Sequence, residues 1–334
     1  MLVGGQGTRL RPLTARRHKS LVPLLNRPAI EYLFDWLERS GFERVVLAIG
    51  RDNDDLAAAY PPGRRGSMEF ALVQERERLE SGGAIRHAVH AAGIEGRFAV
   101  LNGDVFVDFE FAGMLEAHTA VGARLSQYLY PVSEPWRFGV AAVDRNSMIT
   151  GFVEKPARGE EPGNLINAGV WLFEPDLLDA YPTGAVRVEE TLFPSLVARG
   201  QPVLGYTAPG TWADIGTPPA YLALSRELVA QRGNSVVDER SQVAPDASIL
   251  QSVVGPDGRI GAGVSVVDSL LWEGVVVGEE ATIAGSILAD GVVVGEGAIL
   301  EGVVAGSGAV IAPGARLSAG TSIDAGARYD ADND

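Results

Sequence analysis

The sequence predicts an α/β fold over its first two thirds and a stacked β-solenoid over the remainder. From residue 1 to about 232, short apolar runs alternate with patterns of helical spacing, whereas from about 235 to 328 apolar residues return every 17 positions. Alternating strands and helices favour a mostly parallel sheet with helices on both faces. A fixed repeat of this length is typical of coils stacked on one another. We therefore predict one domain over residues 1–232 and a second over 233–334.

Local patterns predict the elements of the α/β region. Apolar residues three and four positions apart after Pro28 indicate a helix, and the apolar runs Arg44–Ile49 and Phe98–Leu101 indicate buried strands. Ligands of a Rossmann-like sheet bind at the carboxyl ends of its strands. A glycine-rich loop follows the short apolar segment Met1–Val3, and Asp104 follows the run that ends at Leu101. Both positions are therefore candidates for a binding site.

The solenoid is predicted from five similar phrases, each opened by an apolar residue and followed six positions later by another. The openers are Val243, Ile260, Val277, Val294 and Ile311. Helix is excluded because glycine is frequent and no 3.6-residue spacing occurs. The pattern resembles the hexapeptide-repeat left-handed parallel β-helix, with 17-residue repeats from 243 to 327. We expect Trp272 and the Val275–Val277 run to pair subunits in a homo-oligomer.

Composition and charge exclude several classes of protein. The chain has 334 residues, no cysteine and a net charge of −15, so disulfides, thiolate zinc sites and cysteine nucleophiles are excluded and nucleic acid is not an expected partner. No run of about 18 uncharged apolar residues occurs, and no signal peptide precedes the glycine loop, so we expect no membrane span and a cytoplasmic location. Acyl transfer, common among hexapeptide-repeat proteins, is disfavoured because all four histidines precede the repeats.

The glycine loop and the use of lysine point to phosphate chemistry. The sequence Gly4-Gly5-Gln6-Gly7-Thr8-Arg9 lets backbone N–H groups approach phosphate oxygens, and five basic residues lie between positions 9 and 19. The loop lacks the Gly-Lys-Ser/Thr of a Walker motif and the third glycine of a dinucleotide fingerprint. Only Lys19 and Lys155 are lysines among 28 basic residues. A compact ammonium group is therefore a candidate requirement at both positions.

Seven motifs in order extend this interpretation to nearly the whole chain. They are the glycine loop continued through Lys19–Pro23, Gln74 with Gly82-Gly83, Asn102-Gly103-Asp104, Arg137–Val140, Phe152–Pro156, Asn167–Val170 and Trp212–Pro218. Together with the β-helix they resemble the sugar-1-phosphate nucleotidyltransferases, also called nucleotide-sugar pyrophosphorylases. That family joins a nucleoside triphosphate to a sugar 1-phosphate and releases pyrophosphate.

The resemblance implies a role for each matching residue. Arg9, Lys19 and Lys155 are the implied catalytic cations, acting on the β- and γ-phosphates, the α-phosphate and the sugar phosphate respectively. Nucleotide binding is implied for Gly4, Gly5, Gly7, Thr8, Gln74, Gly82 and Gly83, the last two as a turn beside the base. Sugar-phosphate binding is implied for Gly139, Glu154, Asn167 and Gly169. Asp104 and Asp214 are the implied ligands of Mg²⁺, which favours a few carboxylates together with phosphate oxygens.

Two departures from the family pattern are expected to matter. Glu80 stands where relatives commonly have a glycine beside the base, so the identity of the base is left open; a similar sequence occurs in some uridylyl-transferring relatives. Relatives also begin with several more residues ahead of the glycine loop. We therefore expect the short strand Met1–Val3 to lack ladder hydrogen bonds and apolar burial that an upstream extension would supply.

The layout is closest to the mannose-1-phosphate guanylyltransferases, since Val188-Glu189-Glu190 precedes Phe193-Pro194 and a β-helix follows. The first hypothesis is therefore transfer from GTP to mannose 1-phosphate. The alternatives are a thymidylyl- or uridylyltransferase acting on glucose 1-phosphate, and a non-catalytic regulatory subunit that binds nucleotide sugars.

Overall fold

The computed structural model describes residues 1–178 and 182–330 and divides the chain into two compact units. Unit 1 contains Met1–Gly5 and Tyr32–Trp212, and unit 2 contains Gln6–Glu31 and Ala213–Asp334. The glycine loop is thus divided between the units after Gly5. The predicted sequence boundary at residue 232, where a helix ends, stays a prediction.

In the part of the chain that the structure describes, six α-helices alternate with strands as far as α6, as the sequence predicts. The α-helices are α1 (Ala29–Arg39), α2 (Asp54–Ala59), α3 (Glu80–Ala92), α4 (Phe111–Ala120), α5 (Leu192–Ala198) and α6 (Pro218–Arg232). The strands are β1 (Pro23–Leu24), β2 (Arg27–Pro28), β3 (Arg44–Ile49), β4 (Gly63–Arg65), β5 (Met68–Gln74), β6 (Phe98–Leu101), β7 (Val105–Phe109), β8 (Leu125–Pro131), β9 (Gly139–Val143), β10 (Ile149–Glu154), β11 (Leu165–Phe173), β12 (Val203–Tyr206) and β13 (Gly210–Asp214).

Unit 1 contains the Rossmann-like sheet, and this prediction is confirmed. β3 and β5 are parallel, β12 and β8 are parallel, and Leu2 bridges Ala48 and Asn102 in parallel. The sheet is mixed, however, because β11 runs antiparallel to β6, β8 and β9. The short link between β9 and β10 also requires an antiparallel hairpin, since a parallel connection needs a crossover of a dozen or more residues.

Buried aromatic residues fill much of the interior of unit 1. Trp171, Phe173 and Phe193 are fully buried in one apolar cluster, and the Trp171 and Phe193 rings meet edge to face with centroids 5.2 Å apart. In α1, the buried indole of Trp36 donates its Nε1–H to the carbonyl of Phe109 at 2.9 Å. The indole is therefore buried without an unsatisfied polar atom.

The opening strand of unit 1 is short. Its backbone is paired at Leu2, which donates to the Leu101 carbonyl at 2.7 Å, while the Met1 ammonium donates to the Val46 carbonyl at 2.7 Å. A cavity of about 350 Å³ adjoins Met1 and Leu2 and is otherwise lined by residues including β3, α3 and β6 side chains. The expectation that upstream residues complete this strand stays a prediction.

Unit 2 contains a parallel β-solenoid of about six coils, which confirms the predicted second fold. Its strands are β14 (Val236–Val237), β15 (Gln242–Val243), β16 (Ser248–Leu250), β17 (Val253–Val254), β18 (Arg259–Ile260), β19 (Ser265–Val267), β20 (Leu270–Leu271), β21 (Val276–Val277), β22 (Thr282–Ala284), β23 (Ile287–Leu288), β24 (Val293–Val294), β25 (Ile299–Glu301), β26 (Val304–Ala305), β27 (Val310–Ile311), β28 (Arg316–Leu317), β29 (Ser322–Ile323) and β30 (Arg328–Tyr329).

Three parallel sheets form the sides of the solenoid. Partners are 17 residues apart from Val236↔Val253 onward, and 18 apart at Val304↔Ser322 and Val310↔Arg328, so the last coil contains one additional residue. Inward-pointing valine, isoleucine, leucine and alanine side chains fill the interior.

A ladder of buried serines runs through the solenoid at the same 17-residue spacing. Ser252, Ser269 and Ser286 are fully buried, and each hydroxyl donates to a carbonyl two residues earlier. Each hydroxyl also accepts the N–H of the residue 17 positions later, for example Ser286 N–H on Ser269 Oγ at 3.0 Å. Each of these three buried hydroxyls is thereby satisfied as hydrogen-bond donor and as acceptor.

One expectation about the solenoid surface is wrong. Trp272, Val275 and Val277 are each no more than 3% exposed, so they belong to the interior and do not present a free surface to another subunit; of the predicted residues, only Val276 is partly exposed. Six-residue spacing marks the apolar positions of a coil, but it does not tell which of them another part of the chain covers. In the described ranges 1–178 and 182–330, no helix combines the length and the apolar character needed to cross a membrane.

Candidate active site

The predicted base-side residues lie at the end of β5 and the start of α3. Gln74 is exposed, and its Nε2 donates to the Arg51 carbonyl at 3.0 Å. Gly82 and Gly83 are buried within the first turns of α3, so the prediction that they form a turn is wrong. A Cβ on Gly83 would collide with the Gly184 carbonyl oxygen, which explains glycine there in spite of its low helix propensity.

Glu80 occupies a backbone conformation that favours glycine. Its φ is +55°, which costs a non-glycine residue about 1–2 kcal/mol. Arg78 Nε lies 2.8 Å from Glu80 Oε1, and Arg187 Nε lies 3.1 Å from Glu80 Oε2. The carboxylate is thus held between two guanidinium groups. These two contacts explain how a glutamate is held in a backbone conformation that favours glycine, at a position where the family pattern has glycine.

Glu189, which the sequence analysis used only as a feature of layout, lies beside Ser81 at the start of α3. Ser81 Oγ donates to Glu189 Oε2 at 2.7 Å and accepts the Val188 N–H at 3.1 Å. Burial raises the pKa of Glu189, and the hydrogen bond from Ser81 opposes that rise. The electrostatic effect of Glu154 acts in the same direction as burial. The negative charge of Glu154 thus disfavours ionisation of Glu189. In the sequence, the only indication of this position is that Glu189 directly follows the apolar residue Val188.

The predicted sugar-side pair lies where β9 begins and β10 ends. Gly139 is the partner of Glu154 in the antiparallel register, and a Cβ on Gly139 would lie 2.5 Å from Glu154 Oε2. Lys155 follows with φ +46°, and its Nζ lies 2.9 Å from Glu154 Oε1. The structure therefore brings Gly139, Glu154 and Lys155 together, and Gly139 leaves room for the glutamate.

Asn167 and Gly169 form an irregularity in β11 that is tied to the turn after β6. The pairing register of β11 shifts between Asn167 and Trp171, and Gly169 has φ +75°. Asn167 Oδ1 accepts the Gly169 N–H at 3.1 Å and the Trp171 Nε1–H at 2.6 Å. The Asn102 N–H donates to the Gly169 carbonyl at 2.8 Å. The backbone of Gly169 therefore fixes the segment that carries Asp104.

Close backbone packing also places Asp104 near the opening strand. The Gly103 N–H donates to the Leu2 carbonyl at 2.9 Å, and a Cβ on Gly103 would collide with the Val3 side chain. A Cβ on Gly4 would lie 3.4 Å from the Gly50 nitrogen, whereas one on Gly5 would meet no atom of the described residues within 4 Å. Unit 1 thus places Gly4 and the Gly103-Asp104 turn at the carboxyl ends of neighbouring strands.

In unit 2 the second part of the glycine loop packs on Lys19. Gly7 has φ +60°, and a Cβ there would lie 2.9 Å from Lys19 Cβ. Thr14 Oγ1 donates to the Gly7 carbonyl at 2.8 Å, and a 3₁₀ turn over Thr8–Leu10 follows Gly7. Lys19 is 7% exposed. Gly7 therefore has to lack a side chain for Lys19 to approach the loop.

Arg9 and Asp214 also converge in unit 2. A Cβ on Gly216 would lie 2.7 Å from both carboxylate oxygens of Asp214 and 3.0 Å from Arg9 Nη2. Gly216 is buried and has no positive φ, so the absence of a side chain there serves the two charged neighbours. A cation and a carboxylate thereby both approach the backbone of Gly216.

The expectation of magnesium depends on two aspartates, Asp104 in unit 1 and Asp214 in unit 2. Within the described residues, no group of three or more histidine, aspartate and glutamate side chains is arranged to hold a metal by itself. Mg²⁺ commonly takes one or two carboxylates and fills its remaining positions with phosphate oxygens and water. Asp104 and Asp214 are hard oxygen donors of that kind.

Comparisons with known proteins identify the family. Residues 1–231 match the family described as Nucleotidyl transferase, and residues 222–323 match the family described as EIF2B subunit epsilon LbH domain. The chain is 31% identical over 271 residues to a mannose-1-phosphate guanylyltransferase of Mycobacterium tuberculosis, covering 76% of this chain and 73% of that one. It is 28% identical over 259 residues to a UTP–glucose-1-phosphate uridylyltransferase of Synechocystis, covering 73% and 66%.

The solved structures agree in fold. A UDP-glucose pyrophosphorylase from Acinetobacter baumannii superposes with a TM-score of 0.61 at 19% identity, covering 69% of this chain and 92% of that one. The family match spans the glycine loop, the Asp104 turn, the Gly139–Lys155 hairpin and the segment around Asp214. The chain therefore belongs to the nucleotidyl transferase family, as a sugar-1-phosphate nucleotidyltransferase whose α/β domain is followed by a parallel β-solenoid.

Proposed function

We propose that the chain transfers GMP from GTP to mannose 1-phosphate and releases pyrophosphate, giving GDP-mannose. The observation that carries the proposal is the family match over residues 1–231 together with 31% identity to a relative named mannose-1-phosphate guanylyltransferase. The proposed substrates, a nucleoside triphosphate and a sugar 1-phosphate, are both anionic. The cations in the matched segments suit them.

The proposed reaction needs no enzyme nucleophile. An oxygen of the sugar phosphate attacks the α-phosphorus of the triphosphate, a new P–O bond forms, and the bond to the β-phosphate oxygen breaks with loss of pyrophosphate. The enzyme contributes by positioning and by neutralising charge. We assign Arg9 to the β- and γ-phosphates, with the N–H groups of Gly4, Gly5, Gly7 and Thr8, and Lys19 to the α-phosphate. The packing of Gly7 on Lys19 supports joining these two roles.

Lys155 is assigned to the incoming sugar phosphate. Its ammonium group lies against Glu154 in the structure, and we assign Glu154 to a sugar hydroxyl. This contact holds the ammonium group beside the residue that we assign to the sugar. The backbone at Gly139 and Gly169 and the side chain of Asn167 are assigned to the remaining sugar contacts.

Asp104 and Asp214 are the proposed ligands of Mg²⁺. When bound, the ion supplies charge neutralisation at the phosphate oxygens. A glycine supports each aspartate: Gly216 leaves space beside Asp214, and the backbone of Gly169 fixes the turn that carries Asp104. Removal of magnesium with EDTA is expected to abolish turnover, and restoring it in excess is expected to recover turnover.

A second candidate function is uridylyl or thymidylyl transfer to glucose 1-phosphate. Glu80 favours it, because it stands beside Gln74, Gly82 and Gly83, the residues assigned to the base, where the family pattern has glycine. The similarity to the Synechocystis uridylyltransferase also supports it. A third candidate, a non-catalytic nucleotide-sugar-binding subunit, is disfavoured by the presence of Arg9, Lys19, Asp104, Lys155 and Asp214 together.

A substrate matrix separates these candidates. Pyrophosphate release is measured for GTP, UTP, dTTP and ATP, each with mannose 1-phosphate and with glucose 1-phosphate. Turnover of GTP with mannose 1-phosphate at a kcat/KM at least tenfold above every other pair is expected. Preference for another pair would replace the first candidate with the second. Asp104→Ala is expected to lose turnover by orders of magnitude, and an exposed control, Asp324→Ala, is expected to retain it.

We also propose that the chain acts in the cytoplasm, where nucleoside triphosphates are made, and that it forms a homo-oligomer through outward-facing side chains of the β-solenoid. Sedimentation equilibrium measures the subunit number, and a single monomeric species across the concentration range would contradict the second proposal.

A further inference from the structure

The segment of unit 2 that carries Lys19 is anchored to the β-solenoid by Arg17. Arg17 Nη2 lies 2.9 Å from Asp290 Oδ2, and the guanidinium carbon lies 5.4 Å from the centroid of the Trp272 ring. Asp290 follows β23 at a turn between coils, and Trp272 follows β20. One arginine therefore makes a charge-assisted hydrogen bond to one coil and a cation–π contact to the preceding coil.

Two further contacts hold the same segment. The Tyr221 hydroxyl of α6 donates to the Pro23 carbonyl, and it accepts the Trp272 Nε1–H at 3.1 Å. Asn26 Nδ2 donates to the Val254 carbonyl of β17 at 3.0 Å. The hydrogen bond between the Trp272 and Tyr221 side chains is buried and is therefore shielded from water. The segment is thus fixed on both sides of its 3₁₀ turn.

That turn carries Lys19. It spans Lys19–Leu21, and Arg17 Nη1 also donates to the Leu21 carbonyl at 3.4 Å. Arg17 therefore contacts the turn itself and the solenoid simultaneously. Because Gly7 packs on Lys19, a shift of the turn would also move the second part of the glycine loop.

The surroundings of Asp290 disfavour its charged carboxylate form. Its Oδ1 is buried and has no hydrogen-bond partner in the described part of the chain. Burial raises the pKa of Asp290, and the nearby Arg17 opposes that rise. The Asp290 side chain is 28% exposed, but an oxygen that is buried without a partner costs stability, so stability alone does not account for the Arg17–Asp290 pair.

We propose that Asp290 and Trp272 act through Arg17 as positioning residues for Lys19, so that the β-solenoid is a required part of the nucleotide site. This inference rests on the proposed function, in which Lys19 neutralises charge at the α-phosphate. Such neutralisation depends on a cation fixed before the substrate arrives, and a displacement of about 1 Å can cost a hundredfold in rate. None of the three residues touches the substrate in this proposal.

Asp290→Ala tests it, with Asp268→Ala as the matched control. Asp268 Oδ2 pairs with Arg226 Nη2 at the same 2.9 Å, and this pair joins α6 to the solenoid. Asp290→Ala is expected to lower kcat at least tenfold with a KM for the sugar 1-phosphate changed less than twofold, and Asp290→Glu is expected to recover most of the loss. Asp268→Ala is expected to change kcat less than twofold.

Hydrogen exchange provides a readout that does not depend on activity. Amide hydrogens of residues 19–22 are expected to exchange at least tenfold faster in Asp290→Ala and at an unchanged rate in Asp268→Ala. Unchanged exchange, or faster exchange with unchanged kcat, would overturn the proposal. If the wild-type chain turned over no substrate pair, the proposed function would fail, and the exchange rates would still decide whether Asp290 anchors the turn.

Discussion

Gly216→Ala is the most direct test of the phosphate-binding arrangement. The new Cβ would lie 2.7 Å from each Asp214 carboxylate oxygen and 3.0 Å from Arg9 Nη2. The carboxylate must therefore move by about 0.7 Å, and the guanidinium by about 0.4 Å, to reach the ordinary contact distance of 3.4 Å. The backbone accepts alanine, since Gly216 does not have a positive φ. The substitution thus displaces two charged groups without altering either one.

The expected effect is a loss of roughly 50-fold in kcat, because a displacement near 1 Å can cost about a hundredfold. This corresponds to about 2.3 kcal/mol of transition-state stabilisation. The free energy of unfolding is expected to change by less than about 1 kcal/mol, since no core contact is lost. Pyrophosphate release under saturating substrates measures kcat, and urea unfolding measures stability.

Gly96→Ala provides the control. A Cβ at Gly96 would meet no atom of the described residues within 4 Å, and Gly96 likewise lacks a positive φ. Its kcat and stability are expected to stay close to those of the wild type. Full activity in Gly216→Ala would refute the reasoning, because Arg9 and Asp214 would then tolerate displacement. A loss of activity accompanied by a large loss of stability would refute it too.

Three further outcomes follow from the packing. Ser269→Ala leaves the buried N–H of Ser286 without its acceptor and is expected to lower the free energy of unfolding by about 1–3 kcal/mol in urea titrations, whereas a cost below about 0.5 kcal/mol would contradict the ladder's role. Glu189→Gln is expected to raise the free energy of unfolding relative to wild type at neutral pH, because burial raises the pKa of Glu189 and the folded state therefore penalises its charge. This difference in the free energy of unfolding should vanish as the pH falls toward the pKa of the carboxyl group in the unfolded state. A difference that stays constant with pH would contradict this. Three apolar residues added ahead of Met1 are expected to enter the cavity of about 350 Å³ and to raise the unfolding temperature, and an unchanged temperature would mean that the cavity does not accept a strand.

The sequence alone was sufficient to predict the two folds. The alternation of apolar runs with helical spacing predicts a layered α/β sheet, because burial on both faces of such a sheet requires that pattern. The 17-residue repeat predicts the solenoid for a similar reason, since each coil must place an apolar side chain over the one below it. The site residues were chosen because seven short motifs resemble those of the sugar-1-phosphate nucleotidyltransferases, and their roles stay predictions.

Only the tertiary structure decided how those segments are supported. The antiparallel course of β11, the burial of Gly82 and Gly83 within a helix, and the interior position of Trp272 depend on contacts between residues far apart in sequence. Arg17 and Asp290 are 273 positions apart, and no local pattern relates them. A repeat or a motif depends on residues that are close in sequence. Which coil packs against a loop depends instead on contacts between residues that are far apart in sequence. That physical limit is why the role of Trp272 was wrong and the anchoring of Lys19 was not foreseen.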